Sequence, residues 1–541
     1  MKDGNPTRAA RYLFLVIFIS VFLSFFRLGS VTLFDVDEAV FAEATKEMVQ
    51  NNDWITPTYN GKERYDKPIL FYWLMAASYE VFGISEFSAR LVSALSGVLL
   101  SISVFLFLRE FYDDRRAFYA SLSLSLSVFF LIYSHAAVTD MTLTLFITLS
   151  LFSFYLSIKK DRRYIYAFYF FSALAFLTKG LIGIVFPFGI GLIYLLMAEG
   201  PRAFRKIFVP GAIILFLIVS LPWYIMETMI NGHEFIQNFF IKHHFMRYTE
   251  VISGHRGPVF YYFPVLVVGL FPWIGFLPAG IRSIFREPGA LKKFRNYGNL
   301  MDNLGLFACI WLGFIVVFFS FSTTKLPNYI LPAVPAAAIL ISGGMVMQGK
   351  SAGSGKLSRR FLGRKAADII IAVMAIALGV AFLVSGKYLP ATGISDTVWM
   401  TILGLLMLAM ACLSLLALFM KRELYGFMAV CMVIFLFLIS VKVVPAVSAH
   451  LQGTLYRYSV YAGEEAEKGR GIITYKLNYP SIVFYADHKI IDARNMARLL
   501  PYIKDGGKFV AITKAGDADE LKGVGFKLLE KDGRYALLER G

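Results

Sequence analysis

The sequence predicts an α-helical polytopic membrane protein of about 13 transmembrane helices, with a small α/β domain at its C-terminal end. Three observations carry this. Of 541 residues, 57% are hydrophobic and only 17% charged, and mean hydropathy is +0.62, a composition foreign to a large soluble core. Apolar runs of about 20 residues, enough to cross a bilayer, recur from the N-terminus to Val444. From Pro445 onward the chain turns polar, with short strand-like runs. The net charge of +17 then reads as Lys and Arg in cytoplasmic connections, and no nucleic-acid partner is expected. Cys309, Cys412 and Cys431 all lie inside apolar runs, so no disulfide or metal framework is implied.

Tyr12–Phe26 is the first span; it lacks a small-x-small cleavage site and reads as retained. The stretch from Asp35 to Pro68 concentrates acids in a basic chain: Asp35, Asp37, Glu38, Glu43, Glu47, Asp53, Glu63 and Asp66. Val40, Phe41, Ala44 and Met48 recur at helical spacing, so Asp37–Gln50 reads as an amphipathic helix lying at the membrane surface. A plainer reading makes Asp35 and Glu38 a D-x-x-E capping box, with Asp37 favouring the helix dipole. Ile69–Phe82 is short and aromatic and reads as a second membrane-lying helix. Twelve further spans follow, beginning with Phe87–Leu108 and ending with Leu424–Val444. Every even connection between spans is rich in Lys and Arg, for example Arg109, Arg115 and Arg116, then Lys159, Lys160, Arg162 and Arg163. These face the cytoplasm. Residues 1–445 are thus expected to form the membrane unit, with periplasmic loops at 29–86 and 230–257. Residues 446–541 are expected to form a soluble periplasmic domain with strands GIITY, SIVFYA and KFVAIT and a helix at Asp492–Ile503.

Ionisable residues collect on the outer side. Asp140, Lys179 and Lys325 each sit at the edge of an apolar span, where such groups are functional candidates; helix capping and snorkelling are the alternatives. The loop Ile230–Gly257 holds His233, His243, His244 and His255 with Lys242, Arg247 and Arg256. It reads as a solvated basic loop, or as a source of metal ligands together with Asp66. Lys67, Lys179, Arg247 and Lys325 suit a phosphate group. Charges gathered at one surface favour an enzyme acting on lipid head groups over a lipid or sugar transporter or flippase, whose charges belong near span centres. A structural protein is a third reading.

Several local patterns occur in one order: Asp37–Glu38 heading AEATKEM, W-x-x-P at Trp54–Pro57, YDKP at Tyr65–Pro68, TKG at Thr178–Gly180, HHFMRY at His243–Tyr248, FPWIGFLP at Phe271–Pro278 and TKLPNYILPAVP at Thr324–Pro335. This order resembles the lipid A aminoarabinose transferases and their protein O-mannosyltransferase-like relatives, from about Leu28 to Leu340. The resemblance implies a C-type glycosyltransferase fold in the bacterial inner membrane. It implies transfer of a sugar, 4-amino-4-deoxy-L-arabinose being one candidate, from an undecaprenyl-phosphate donor to lipid A or another cell-envelope glycan. It makes Asp37 the catalytic carboxylate, grouped with Glu38 and Asp140. It assigns donor phosphate to Lys67, Arg247, Lys179, Lys325 and Tyr329, and one divalent metal ion to Asp66 and His244. Asp66 stands where the family has Glu. Asp35→Asn, two residues before Asp37, is expected to leave activity largely intact.

Overall fold

The computed structural model describes residues 6–198, 200–239, 257–284, 303–349, 357–388, 394–420, 424–504 and 506–541. Among them, eight helices are long and apolar enough to cross a membrane, or ten if two bent pairs each count as one span. Three shorter apolar helices, Tyr164–Lys179, Ile182–Ala198 and Leu304–Ser320, fall where three more of the expected spans were read. Two spans are bent where their helices break. Asp114–Ser125 and Val128–Ser134 bend by 60° at Ser127, whose Oγ caps the second helix by accepting from Phe130 N at 3.1 Å. Val259–Gly269 and Trp273–Ile284 bend by 110°, and Trp273 Nε1 closes the corner by donating to Leu126 O at 3.1 Å. A Cβ at Gly269 would lie 2.1 Å from the Phe129 ring, so this approach requires glycine.

The core of the bundle is aromatic: Trp273, Trp311, Phe307 and Tyr155 are fully buried. Outward faces carry Ile218, Val373 and Leu405 exposed, which suits a lipid environment.

Helix α1 spans Pro6–Phe25, α2 Asp37–Asn51, α3 Leu70–Phe82 and α4 Glu86–Phe111. A two-residue hairpin, β1 Thr58–Tyr59 and β2 Lys62–Glu63, turns at Asn60–Gly61, both at positive φ. α2 is amphipathic as expected, but its charged face is not open to water. Glu38, Glu43 and Lys46 are buried along with Ala39, Phe41 and Met48, because the helix is wedged between α3 and the C-terminal domain rather than open to water on its charged face. Its hydrophobic period correctly located a helix. What it could not locate was a second protein surface over the polar side.

The last span runs through a π-helical turn, Ile439–Val443, into helix Val444–Glu467. This helix packs on a five-stranded sheet of order β4-β3-β5-β7-β6. Strand β3 (Gly471–Tyr475) is parallel to β4 (Ile490–Ala493) and β5 (Phe509–Lys514); β7 (Tyr535–Arg540) is antiparallel to β5 and to β6 (Lys527–Lys531). Alternation along β3 sends Ile472 to one face, against Leu455, Tyr458 and Ile482, and Ile473 to the other, against Leu499, Ile503 and Leu521. SIVFYA is not a strand. Pro480–Ala486 is a helix with proline in its first turn, and Pro480, Ser481, Ile482, Val483, Phe484 and Ala486 are all buried. A run buried all round loses the periodicity that separates helix from strand.

Candidate active site

The head of α2 is held by one buried ion pair. Arg90, in the first turns of α4, uses all five of its N–H donors. Nε and Nη2 donate to Glu38 at 2.7 and 2.9 Å; Nη1 donates to the carbonyls of Leu28 (3.1 Å) and Val31 (2.8 Å), and Nη2 also to Thr32 (2.9 Å). Glu38 is equally saturated. Beyond Arg90 it accepts from Phe34 N at 2.8 Å and Ala137 N at 2.9 Å, filling the four acceptor positions of a carboxylate. Glu38 therefore has no lone pair left for a substrate. It joins the segment before α2 to the loop that leads into Asp140.

Asp37 has the opposite environment. It is the first residue of α2, exposed, with no side-chain cap formed at the helix start. The capping-box reading is thereby corrected: the Asp35 carboxylate points to another helix, accepting from Ser481 N at 2.8 Å. Asp37 lies within electrostatic reach of Arg64 and Tyr72, at the positive end of the α2 dipole.

Arg64 pairs with Asp66 at 2.9 Å, donates from Nε to Tyr72 Oη at 3.2 Å and lies 5.7 Å from the centre of the Phe41 ring. Lys67 Nζ donates to the Asp66 carbonyl at 3.0 Å. Thus Asp66 and Lys67 fall in the same segment as Asp37, and Asp66 and Asp37 both act electrostatically on Arg64 and Tyr72. The other expected phosphate ligands are differently engaged. Lys179 pairs with buried Asp140 at 2.6 Å, and Asn328 Nδ2 donates to the second Asp140 oxygen at 3.0 Å. Lys179 also sits 5.7 Å from the Tyr329 ring centre. Lys325 donates to the carbonyls of Ser322 (2.6 Å), Ser320 (2.8 Å) and Phe319 (3.4 Å). Its ammonium serves the orphan carbonyls at the end of helix Asn303–Ser320.

His243, His244, Arg247 and Tyr248 lie outside the described residues. Among the described residues no group of three or more His, Cys, Asp and Glu could hold a metal ion, and Asp66 is already paired with Arg64. The described residues do not by themselves fit the expected divalent ion.

A polar cavity of about 450 Å3 opens beside this segment, lined by Tyr59, Arg64 and Asp66 from the loop, Glu234 from the end of helix Pro210–Phe235, and Asn478 and Arg494 from the C-terminal domain. Two structural residues went unnoticed in the sequence, although both are ionisable groups inside apolar spans, the signal that singled out Asp140. One is Arg90. The other is Glu227, fully buried, which accepts from Thr56 Oγ1 and Asn231 Nδ2 at 2.9 Å each and ties the loop to its neighbouring span.

Glu43 is buried on α2 beside Lys46 at 3.3 Å, and burial pushes its pKa up from 4.5 to about 7. Below pH 4.5 the group is neutral whether folded or not, and its burial carries no charge penalty. As pH rises to about 7 the unfolded chain ionises first, and roughly 3 kcal/mol of stability is lost. Glu43→Gln cannot ionise. Thermal unfolding at pH 5 and pH 8 should show the variant gaining on the wild-type protein as pH rises; parallel curves would refute the shift.

The model of the family described as dolichyl-phosphate-mannose-protein mannosyltransferase matches residues 66–226. A protein of Aquifex aeolicus is 29% identical over 334 residues, covering 60% of this chain and 62% of its own length. The undecaprenyl phosphate-alpha-4-amino-4-deoxy-L-arabinose arabinosyl transferase of Yersinia pestis is 25% identical over 348 residues, 63% of this chain and 59% of its own length. The alignments thus span about three fifths of these relatives. The crystal structure of ArnT from Cupriavidus metallidurans bound to undecaprenyl phosphate has the same fold, with a TM-score of 0.78 at 23% identity over 98% of both chains. Over residues 66–226 the chain is thus similar in sequence to the family described as dolichyl-phosphate-mannose-protein mannosyltransferase, and over nearly its whole length it has the fold of the Cupriavidus metallidurans ArnT.

Proposed function

We propose that the protein is a glycosyltransferase of the bacterial inner membrane that moves a sugar from a polyprenyl-phosphate donor to an acceptor on the periplasmic side. From the names of the similar proteins we take undecaprenyl phosphate as the donor lipid and 4-amino-4-deoxy-L-arabinose as the sugar, and from the motif resemblance in the sequence we take lipid A as the acceptor class. One observation supports this reading most directly: the two acids of the DE pair have opposite fates. Glu38 is consumed by Arg90 and two backbone amides, while Asp37 stays exposed at the head of α2 within electrostatic reach of Arg64, and Arg64 and Asp66 line a polar cavity.

In the transfer, the bond between the anomeric carbon and the donor phosphate oxygen breaks as an acceptor oxygen bonds to that carbon. The polyprenyl phosphate leaves with the electron pair. Lys67 and Arg247 offset its charge. A hydroxyl acceptor gives its proton to Asp37. A lipid A phosphate is already ionised and needs no base; Asp37 then orients it or offsets positive charge on the sugar ring. Lys179, neutralised by Asp140, and Lys325, occupied by three carbonyls, are supports of the site rather than its phosphate ligands.

Lys67→Ala and Arg247→Ala should each weaken polyprenyl-phosphate binding roughly ten- to a hundredfold in folded protein, the range of a charge-assisted contact worth about 1.5–3 kcal/mol. Unchanged lipid affinity in both variants refutes the phosphate assignment. Mass spectrometry of lipid A and glycan fractions from cells with and without the gene tests the reaction itself, and identical fractions would reject it.

A further inference from the structure

The residues just before Asp37 are held from two sides. On one side lie Arg90 and Glu38. On the other lies the C-terminal domain. Asp35 accepts from Ser481 N at 2.8 Å and from Ser481 Oγ, at the first turn of helix Pro480–Ala486. With its amide nitrogen turned toward Asp35, Gln452 donates to the carboxylate at 3.1 Å and accepts from Asp35 N at 3.0 Å. Ser481 and Gln452 are both buried. Leu33 N donates to Tyr485 Oη at 2.8 Å, and Tyr485 Oη in turn donates to Glu86 at 3.0 Å. Thr32 Oγ1 meets Ser448 Oγ at 2.9 Å. Further along, Lys46 pairs with Asp487 at 2.6 Å and donates to Phe484 O at 3.0 Å. Asn60 exchanges two hydrogen bonds with Ile490, at 2.8 and 2.9 Å.

These ties, most of them partly buried, are too many for a domain that merely trails the membrane bundle. They meet the chain on both sides of Asp37 and within two residues of it. The carboxylate of Asp35 accepts three hydrogen bonds from the domain. Its effect falls on the backbone that aims Asp37.

We infer that Asp35, clasped by Ser481 and Gln452, is a positioning residue, and that through it the C-terminal domain sets the geometry of Asp37. The inference rests on the glycosyl-transfer reading for its kinetic consequence, but not for its structural one. It also reverses the expectation that Asp35 is a neutral neighbour.

The test compares wild-type protein with Asp35→Ala, Asp35→Asn, Ser481→Ala and the Asp35→Ala/Ser481→Ala double variant, all full-length in lipid nanodiscs. Each is measured by hydrogen exchange of the amides at 33–40 and by sugar transfer from undecaprenyl-phosphate aminoarabinose to lipid A. In Asp35→Ala, exchange should quicken about tenfold or more, and kcat should fall about tenfold with donor KM unchanged. Asp35→Asn keeps an acceptor for Ser481 and should recover part of both losses. The double variant should be no worse than Asp35→Ala, because the two changes cut one contact. Should Asp35→Ala fail to fold, Ser481→Ala, which keeps the backbone donor, carries the same comparison with a smaller effect. Wild-type exchange and kcat in the folded variants, losses that multiply, or a raised KM at unchanged kcat would each overturn the inference. If no protein transfers sugar yet 33–40 still loosens in Asp35→Ala, the clasp stands and the reaction assigned under the proposed function falls.

Discussion

Asp37→Asn should be inserted, fold and bind polyprenyl phosphate as the wild-type protein does, yet transfer sugar on the order of a hundredfold more slowly or worse. The substitution keeps shape and removes charge and basicity. Asparagine also caps helices about as well as aspartate, so a capping role would leave activity near normal. No side-chain cap forms at the start of α2, which makes the two outcomes cleanly separable. Asp53→Asn is the better control than Asp35→Asn. Asp53 Oδ1 accepts from Ile55 N and Thr56 N at 3.0 and 3.2 Å, a local turn that asparagine reproduces. Near-normal transfer by the Asp37 variant in a reconstituted assay would remove the carboxylate from the mechanism.

The second large effect is on stability. Arg90→Met leaves Glu38 charged, buried and without its counter-ion, and strips donors from the carbonyls of Leu28, Val31 and Thr32. Breaking a buried pair from one side costs about 3–5 kcal/mol. Folded yield and the unfolding temperature in detergent should both fall sharply. Adding Glu38→Gln should recover part of the loss, since the unpaired charge is then gone while the unserved carbonyls remain. A double variant no more stable than Arg90→Met would mean that the backbone contacts, not the charge pair, hold this corner.

Much of the architecture was legible because the bilayer restricts what an apolar run can be. A stretch such as Phe87–Leu108 or Met141–Ile158 must satisfy its backbone internally, and both are helices, at Glu86–Phe111 and Thr139–Lys159. The strands GIITY and KFVAIT were legible from alternation. SIVFYA was misread because burial on every side erased its period. The same limit explains α2. Its apolar spacing is real, but Lys46 and Glu43 are polar residues that face protein, and no local pattern distinguishes a charge paired across 441 residues of chain from one in water.

The sequence by itself determined the membrane class, the succession of helices and the segment where acids are concentrated, Asp35 to Pro68. These follow from hydropathy, turn residues and residue type, all of which are local. Only the tertiary structure decided what each acid in that segment is for. Asp35, Asp37 and Glu38 are near neighbours with the same functional group. One is clasped by Ser481, one is exposed beside Arg64, and one is locked to Arg90. The physical reason is that a carboxylate's role depends on whether its lone pairs are already filled, and the groups that fill them arrive from 52 and 446 residues away.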